Sequence, residues 1–288
     1  ALVLKAQLLR GTGNPKGALA LLNTAVAAAP GAPTPLAERA ATNIMLGQDV
    51  AAKTDLAQVL KMLPGNIQAT YLEAVLAAKA QHWTDADADL QKISIAMASI
   101  PRAYFLQAIV KFRLGQVQQA ISAATKYAAR NPGDPAGAKL LAQIELSQRD
   151  AAPVIAALAP IAAAGHADAQ MEDMLGRAYA LAGRPDDAVQ AFQKAANLAP
   201  QDAAIRTRLA ATRLGLGQEG AAIGDLEQSL KLAPKQGYAG QALVFAQLAS
   251  GQVDAAAASL AKLRQTQGDT PAIGNLTGMV KLAELDLP

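Results

Sequence analysis

Cysteine is absent from this 288-residue chain. Disulfides, thiolate metal sites and cysteine nucleophiles are excluded together, while the compartment stays open, because cytosolic and periplasmic proteins alike can lack the residue. Histidine occurs twice, at His82 and His166, both where turns are expected, so neither reads as a base or a ligand. Aromatic residues make up 3% and charged residues 17%, against 52% hydrophobic. No HExxH, GxSxG or phosphate-binding glycine loop occurs, and no enzyme activity is expected. The most apolar stretch, Ala151 to Gly165, contains two prolines and is short of the roughly 20 residues a spanning helix needs. Basic clusters interleaved with aromatics are also missing, which argues against nucleic acid as a partner. Asp85, Asp87 and Asp89 alternate without the glycine turn and distal Glu of a calcium loop; Asp85 is expected in the first turn of a helix, with the other two facing solvent. No metal and no cofactor is expected.

What the chain does have is a 34-residue period held without an insertion or deletion. Gly13, Gly47, Gly115, Gly183, Gly217 and Gly251 share one column, with Gln81 and Arg149 in its two remaining places. Pro30, Pro64, Pro132, Pro200 and Pro234 share another, with Ala98, His166 and Gly268 standing in. Two columns are small: Ala18, Ala52, Ala86, Ala120, Val154, Ala188, Ala222 and Ala256 form one, and Ala6, Ala40, Ala74, Ala108, Ala142, Gly176, Ala210 and Val244 the other. A fifth is bulky and runs Leu22, Leu56, Leu90, Ala124, Leu158, Phe192, Leu226 and Leu260, with Ala124 as its exception.

These columns describe a helical hairpin. Small residues on facing helices let two backbones approach, and the bulky residue one turn on fills the space between them. A glycine that adopts the left-handed conformation ends the first helix at least cost. Proline ends the second helix and sets up the next hairpin, and Pro15 and Pro185 fit the first turn of second helices, where a missing N–H is tolerated. Pro160 falls inside a second helix, in the same repeat where Arg149 replaces the glycine, and predicts a kink there.

Within Ala169 to Asp202, the residues Leu175, Gly176, Tyr179, Gly183, Ala188, Phe192, Ala195 and Pro200 resemble the landmarks of the tetratricopeptide repeat family, with Glu172 where that pattern places tryptophan. The resemblance covers the whole chain. It implies an all-α, right-handed superhelical solenoid of antiparallel helix pairs in one continuous domain over 1–288: a partial unit 1–32, then 33–66, 67–100, 101–134, 135–168, 169–202, 203–236 and 237–270, and a terminal helix 271–288. Neither end carries a polar capping unit, so the chain reads as a fragment of a longer protein.

In this family the partner lies on the concave face, built from positions 2, 5, 9, 12 and 13 of each first helix. Carried onto this sequence, those positions offer Tyr71, Arg102, Phe105, Ile109, Phe112, Arg113, Lys139 and Gln143, then Asp173, Arg177, Tyr238 and Phe245. An aromatic and aliphatic strip flanked by Arg and Lys suits a peptide or protein segment with some negative charge. The charge is divided unevenly: residues 1–144 hold 14 Lys and Arg against 8 Asp and Glu, and the remainder 12 against 15. The carboxylate-clamp pattern of chaperone-tail receptors, Lys and Asn, then Asn, then Lys and Arg at positions 5 and 9 of successive repeats, is absent.

The implied function is a non-catalytic protein-interaction scaffold. Its long, Ala/Gln-rich, cysteine-free style is similar to bacterial tetratricopeptide lipoproteins of exopolysaccharide export and PEP-CTERM sorting. That likeness implies a periplasmic, outer-membrane-associated site, a lipid anchor outside this segment and no membrane span within it. The alternatives are a cytoplasmic peptide-binding adaptor and a regulatory array attached to an enzyme domain elsewhere in the protein.

Overall fold

The computed structural model describes residues 1–285, and among these the secondary structure is helical throughout, with no strand. The chain divides into two compact units, Ala1–Leu140 and Leu141–Pro288. The first contains α1 (Leu2–Gly11), α2 (Pro15–Ala28), α3 (Pro33–Met45), α4 (Asp49–Met62), α5 (Ile67–Lys79), α6 (Trp83–Lys92), a 3-10 segment (Ser94–Ser99), α7 (Ala103–Arg113) and α8 (Val117–Arg130). The boundary falls within α9 (Pro135–Ser147). The second contains α10 (Ala152–Ala163), α11 (Ala169–Leu181), α12 (Pro185–Leu198), α13 (Ala203–Gly215), α14 (Glu219–Leu232), α15 (Gly237–Ala249), α16 (Val253–Gln267) and α17 (Pro271–Leu285). The last three positions of the expected terminal helix, 286–288, lie outside the described residues.

Within each unit, consecutive helices pack as hairpins and each hairpin packs on the next. The columns explain why. The small column of the second helices is 0% exposed from Ala18 to Ala256, and Ala6, Ala40, Ala74, Ala108, Ala210 and Val244 of the first helices are no more than 1% exposed. With no side chain larger than valine at these places, the backbones of a pair come close enough for Leu22, Leu56, Leu90, Leu158, Phe192 and Leu226 to close the gap. Between repeats, a residue in or just past the second helix shares an apolar cluster with the third residue of the following repeat. Val59 and Ala69 share one apolar cluster, Ile93 and Ala103 another, Ala195 and Ile205 a third, and Leu263 and Ile273 a fourth.

First helices end on the glycine column as expected. Gly47 has φ +73° and Gly183 +70°, and the next N–H returns to a carbonyl five residues back, as from Gln48 to Asn43 (2.8 Å) and Arg184 to Tyr179 (2.9 Å). Gln81 (φ +61°) and Arg149 (φ +58°) hold the same left-handed backbone without being glycine. Each does so against a steric cost of about 1–2 kcal/mol, which the hairpin geometry imposes.

Further features depart from, or add to, the sequence expectations. The second helix of repeat 67–100 stops at Lys92 and tightens into the 3-10 segment, where Ile93, Ser94 and Ile95 are poor helix formers. Pro160 lies inside helix α10, which ends at Ala163. Asp87 does not face solvent: it is 8% exposed and both its oxygens meet the Lys111 ammonium, at 2.7 and 2.9 Å. Lys111 sits in the last turn of α7, so the pair ties α6 to α7, and removing either member would strand a buried charge. Arg39 forks onto the buried Asp55 at 2.7 and 2.9 Å, joining α3 to α4 in the same way. Trp83 packs against the apolar cluster between α5 and α7.

Candidate functional site

In the first unit, the expected docking residues lie on successive turns of α5 and α7 and at the start of α9. Tyr71 is half-buried and packs against the clusters on both sides of α5. Its hydroxyl is held above the ordinary tyrosine range by burial, opposed by the Arg102 charge. Arg102 caps the start of α7 and is exposed; its guanidinium lies 3.9 Å from Asp134 Oδ2. Phe105 stacks on Tyr127, with ring centroids 5.1 Å apart at 56°. Ile109 and Phe112 continue the same helix and are half-buried, Arg113 is exposed, and Lys139 on α9 is half-buried.

Two residues that the position rule did not select organise this face. Tyr127, 2% exposed on α8, donates its hydroxyl hydrogen to Asp134 Oδ2. Asp134 Oδ1 accepts from the Ala136 N–H at 2.9 Å, so the carboxylate also caps α9. The Tyr127 hydroxyl and then this N–H hold the Asp134 carboxyl below the usual aspartate range, with Arg102 and Lys139 adding to the effect. Arg102, Phe105, Tyr127 and Asp134 therefore form one connected group, with Arg102 at its solvent edge. A sequence signal existed: Asp134 precedes Pro135, in an N-cap place.

Arg113 lies over the Trp83 ring at 5.6 Å, and Lys126 and Arg130 lie over Tyr104 at 5.7 and 5.0 Å. None of these cations has an ion-pair partner among the described residues. Their partners are ring faces, which leave the charge available to an incoming anion.

The second unit differs. Gln143 and Arg177 are exposed, as the position rule assumes. Asp173 is not an open contact: it is 9% exposed and accepts a hydrogen bond from Arg208 Nε at 2.6 Å, so its charge is committed inside the unit. Burial raises its carboxyl, against the pull of Arg208 and Arg177. Tyr238 and Phe245, at 64% and 51% exposure, are the open aromatics here. They line a recess of about 450 Å³ across α13, α15 and α17, together with Leu214, Gln241, Asn275 and Leu276. No charged residue lines it. Glu172, in the place of the repeat family's tryptophan, is 4% exposed with Oε2 unbonded, and burial pushes its carboxyl up. Lys194 is 4.0 Å away.

Among the described residues, no group of three or more metal-ligating side chains exists and no helix is long and apolar enough to cross a membrane.

Residues 102–134 in the first unit and 173–202 in the second each match a family model described as tetratricopeptide repeat. Those two stretches carry tetratricopeptide repeats. No curated protein matches the sequence. Among solved structures, this repeat protein is similar to the APC/C hetero-tetramer Cut9-Hcn1, with TM-score 0.56 and 18% identity over 98% of this chain and 55% of that one. It is also similar to a MamA protein (TM-score 0.56, 20% identity, 67% of this chain and 98% of that one) and to MamA 41-end from Desulfovibrio magneticus RS-1 (0.55, 18%, 59% and 96%). The chain spans about half the length of the Cut9-Hcn1 chain it matches. At these identities the likeness is one of fold.

Proposed function

We propose that the protein is a non-catalytic scaffold that gathers protein partners, and that the first-helix face of its first unit docks an acidic peptide or protein segment. The observation that carries this is the exposure of Arg102 and Arg113 beside the half-buried Tyr71, Phe105, Ile109 and Phe112 on α5 and α7. Partly buried rings supply apolar contact with little ordering cost, and the cations at the edge orient an anionic chain. The excess of Lys and Arg in this unit steers such a partner toward it.

The test uses the full chain and a blocked peptide of alternating Glu and Leu. Displacement of Arg113 from Trp83, the single tryptophan, changes its emission on binding. Replacing Phe105 and Phe112 together with Ala weakens capture and leaves helical content unchanged; undiminished capture by that variant would remove this face as the docking site. Arg102→Gln with Arg113→Gln flattens the salt dependence, because the steering charge is gone.

The setting we propose is the periplasm, in an assembly of secretion or polymer-modifying proteins of the exopolysaccharide export or PEP-CTERM kind. It is supported by the Ala/Gln-rich, cysteine-free style of the repeats. A signal peptide followed by a lipid-accepting cysteine in the full gene would bear this out. A gene encoding neither would favour a cytoplasmic adaptor, and an adjoining catalytic domain would favour a regulatory array.

A further inference from the structure

We infer that a recess bounded by α14, α15 and α16 in the second unit binds a single-chain amphiphile with a carboxylate head, such as a free fatty acid. It uses none of the first-helix docking positions named above, and it does not rest on the acidic docking face of the first unit. A glycine stands where other repeats carry a side chain. Leu36, Tyr104, Glu172 and Arg206 share a column of the 34-residue register with Gly240, and Leu36 and Glu172 are buried at this place. A Cβ at Gly240 would lie 2.6 Å from Leu263 Cδ1, so here the leucine of α16 reaches toward the first-helix backbone instead. Beside it the three helices enclose about 460 Å³. That volume lies within the range of about 300–1,000 Å³ typical of small-ligand sites.

The floor of the recess is apolar: Leu243 and Leu263 are buried and Leu230 is half-buried. At its edge stand Lys231 from α14 and Lys262 from α16, both exposed and neither in an ion pair or hydrogen bond among the described residues. Glu227 is the single carboxylate on the lining. The methylene stems of the two lysines extend the apolar wall, while their ammonium groups remain for an anion. A neutral hydrophobe would leave both cations unused. A polypeptide would bring main-chain N–H and C=O groups to a floor of leucines that cannot pair them. A phospholipid would bring a second chain, which one recess of this size leaves in water. One chain with one anionic head answers both the floor and the edge.

A chain without cysteine accepts a single local reporter. In the full chain, Gln265→Cys places one acrylodan label on the exposed lining of the recess, and Asn275→Cys places one on the exposed first-helix face of α17 as the control. Dodecanoate, kept below its micelle concentration, shifts the emission of the Gln265→Cys label saturably and leaves that of the Asn275→Cys label unchanged. 1-Dodecanol binds about tenfold more weakly, and Lys231→Gln with Lys262→Gln, both surface changes, brings dodecanoate down to the same level. Raising salt from about 50 to about 500 mM weakens dodecanoate and not dodecanol. Ser259→Phe fills the half-buried wall and removes binding, whereas Ser259→Ala keeps it, with helical content unchanged in both. The inference is overturned if the Gln265→Cys label does not respond, if the Asn275→Cys label responds over the same concentrations, or if dodecanol binds as tightly and loss of both lysines changes nothing. It is overturned equally if the blocked Glu and Leu peptide, or vesicles of phosphatidylglycerol, give the response at lower concentration than dodecanoate. Failure of the acidic docking face would show instead in capture by the Phe105 and Phe112 variant, so the two outcomes are separable.

Discussion

Repeat 101–134 in the first unit and repeat 169–202 in the second fill their hairpins from different turns. In the former, the bulky column holds Ala124 and the volume comes three residues later from Tyr127, 2% exposed; in the latter Phe192 keeps the column and Ala195 follows it. Each ring is matched by a glycine. A Cβ at Gly137 would lie 3.0 Å from Tyr127 Cδ1, and one at Gly176 would lie 2.7 Å from Phe192 Cδ1. A buried ring is thus present in both repeats although it stands in different columns. The transposition also has a chemical consequence. Tyr127 carries a hydroxyl to Asp134, beside Arg102 on the first-helix face, whereas Phe192 has no polar atom to deliver. One unit thus presents rings with cations, and the other a neutral trough.

The largest expected effect tests whether the two rings are equivalent. Phe192→Ala and Tyr127→Ala should each cost about 3–5 kcal/mol in urea unfolding, the range for emptying a buried aromatic site. A Tyr127→Ala loss below about 1 kcal/mol would break the equivalence. Next, Gly176→Ala sets about 1 kcal/mol of helix propensity against a clash with a stiff ring worth about 1–3 kcal/mol, so a net loss is expected. Phe192→Leu in the same chain should recover most of the Gly176→Ala loss, and a double-mutant cycle without coupling would show that the glycine makes room for something else.

Gln81→Gly in one unit and Arg149→Gly in the other should each stabilise by about 1 kcal/mol, since both side chains are exposed and both backbones are left-handed. Unequal gains would mean that the two turns carry different strain. The smallest effects separate the units by the sign of their pH dependence. The Asp134 carboxyl is depressed, so its stabilising bond from Tyr127 is present above the ordinary aspartate range and is lost as pH falls through its lowered value. Tyr127→Phe should cost about 1 kcal/mol near neutrality and progressively less in acid. The Glu172 carboxyl is raised, so its contribution is fullest below the ordinary glutamate range and is lost as pH rises through its folded value. Glu172→Gln, which mimics the protonated form, should stabilise at neutral pH, with the gain disappearing toward acid. A gain that persists in acid would point to packing instead of charge.

Helix starts were largely legible because helix-ending glycines and prolines act locally: first helices begin at Pro33, Ile67, Pro135, Ala169, Ala203, Gly237 and Pro271, in register, while α7 begins two residues late at Ala103. The exposed aromatics Tyr238 and Phe245 were legible from position alone. Asp87 and Asp173 were misread because their partners, Lys111 and Arg208, lie 24 and 35 residues away, and a one-residue rule cannot see a cation arriving from the next helix pair. The Tyr127 and Gly137 pairing left a trace in the columns, a large residue facing the smallest, yet it becomes readable only once second-helix residues are known to meet the third residue of the next repeat.

Periodicity alone therefore determined that the chain folds as stacked helical hairpins, because the spacing of small, bulky and helix-ending residues acts within one hairpin and each repeat states it again. Tertiary structure alone decided which polar groups remain for a partner. A carboxylate is neutralised, and a lysine left unpaired, by what the neighbouring helix brings within about 3 Å, a distance the chain order does not encode.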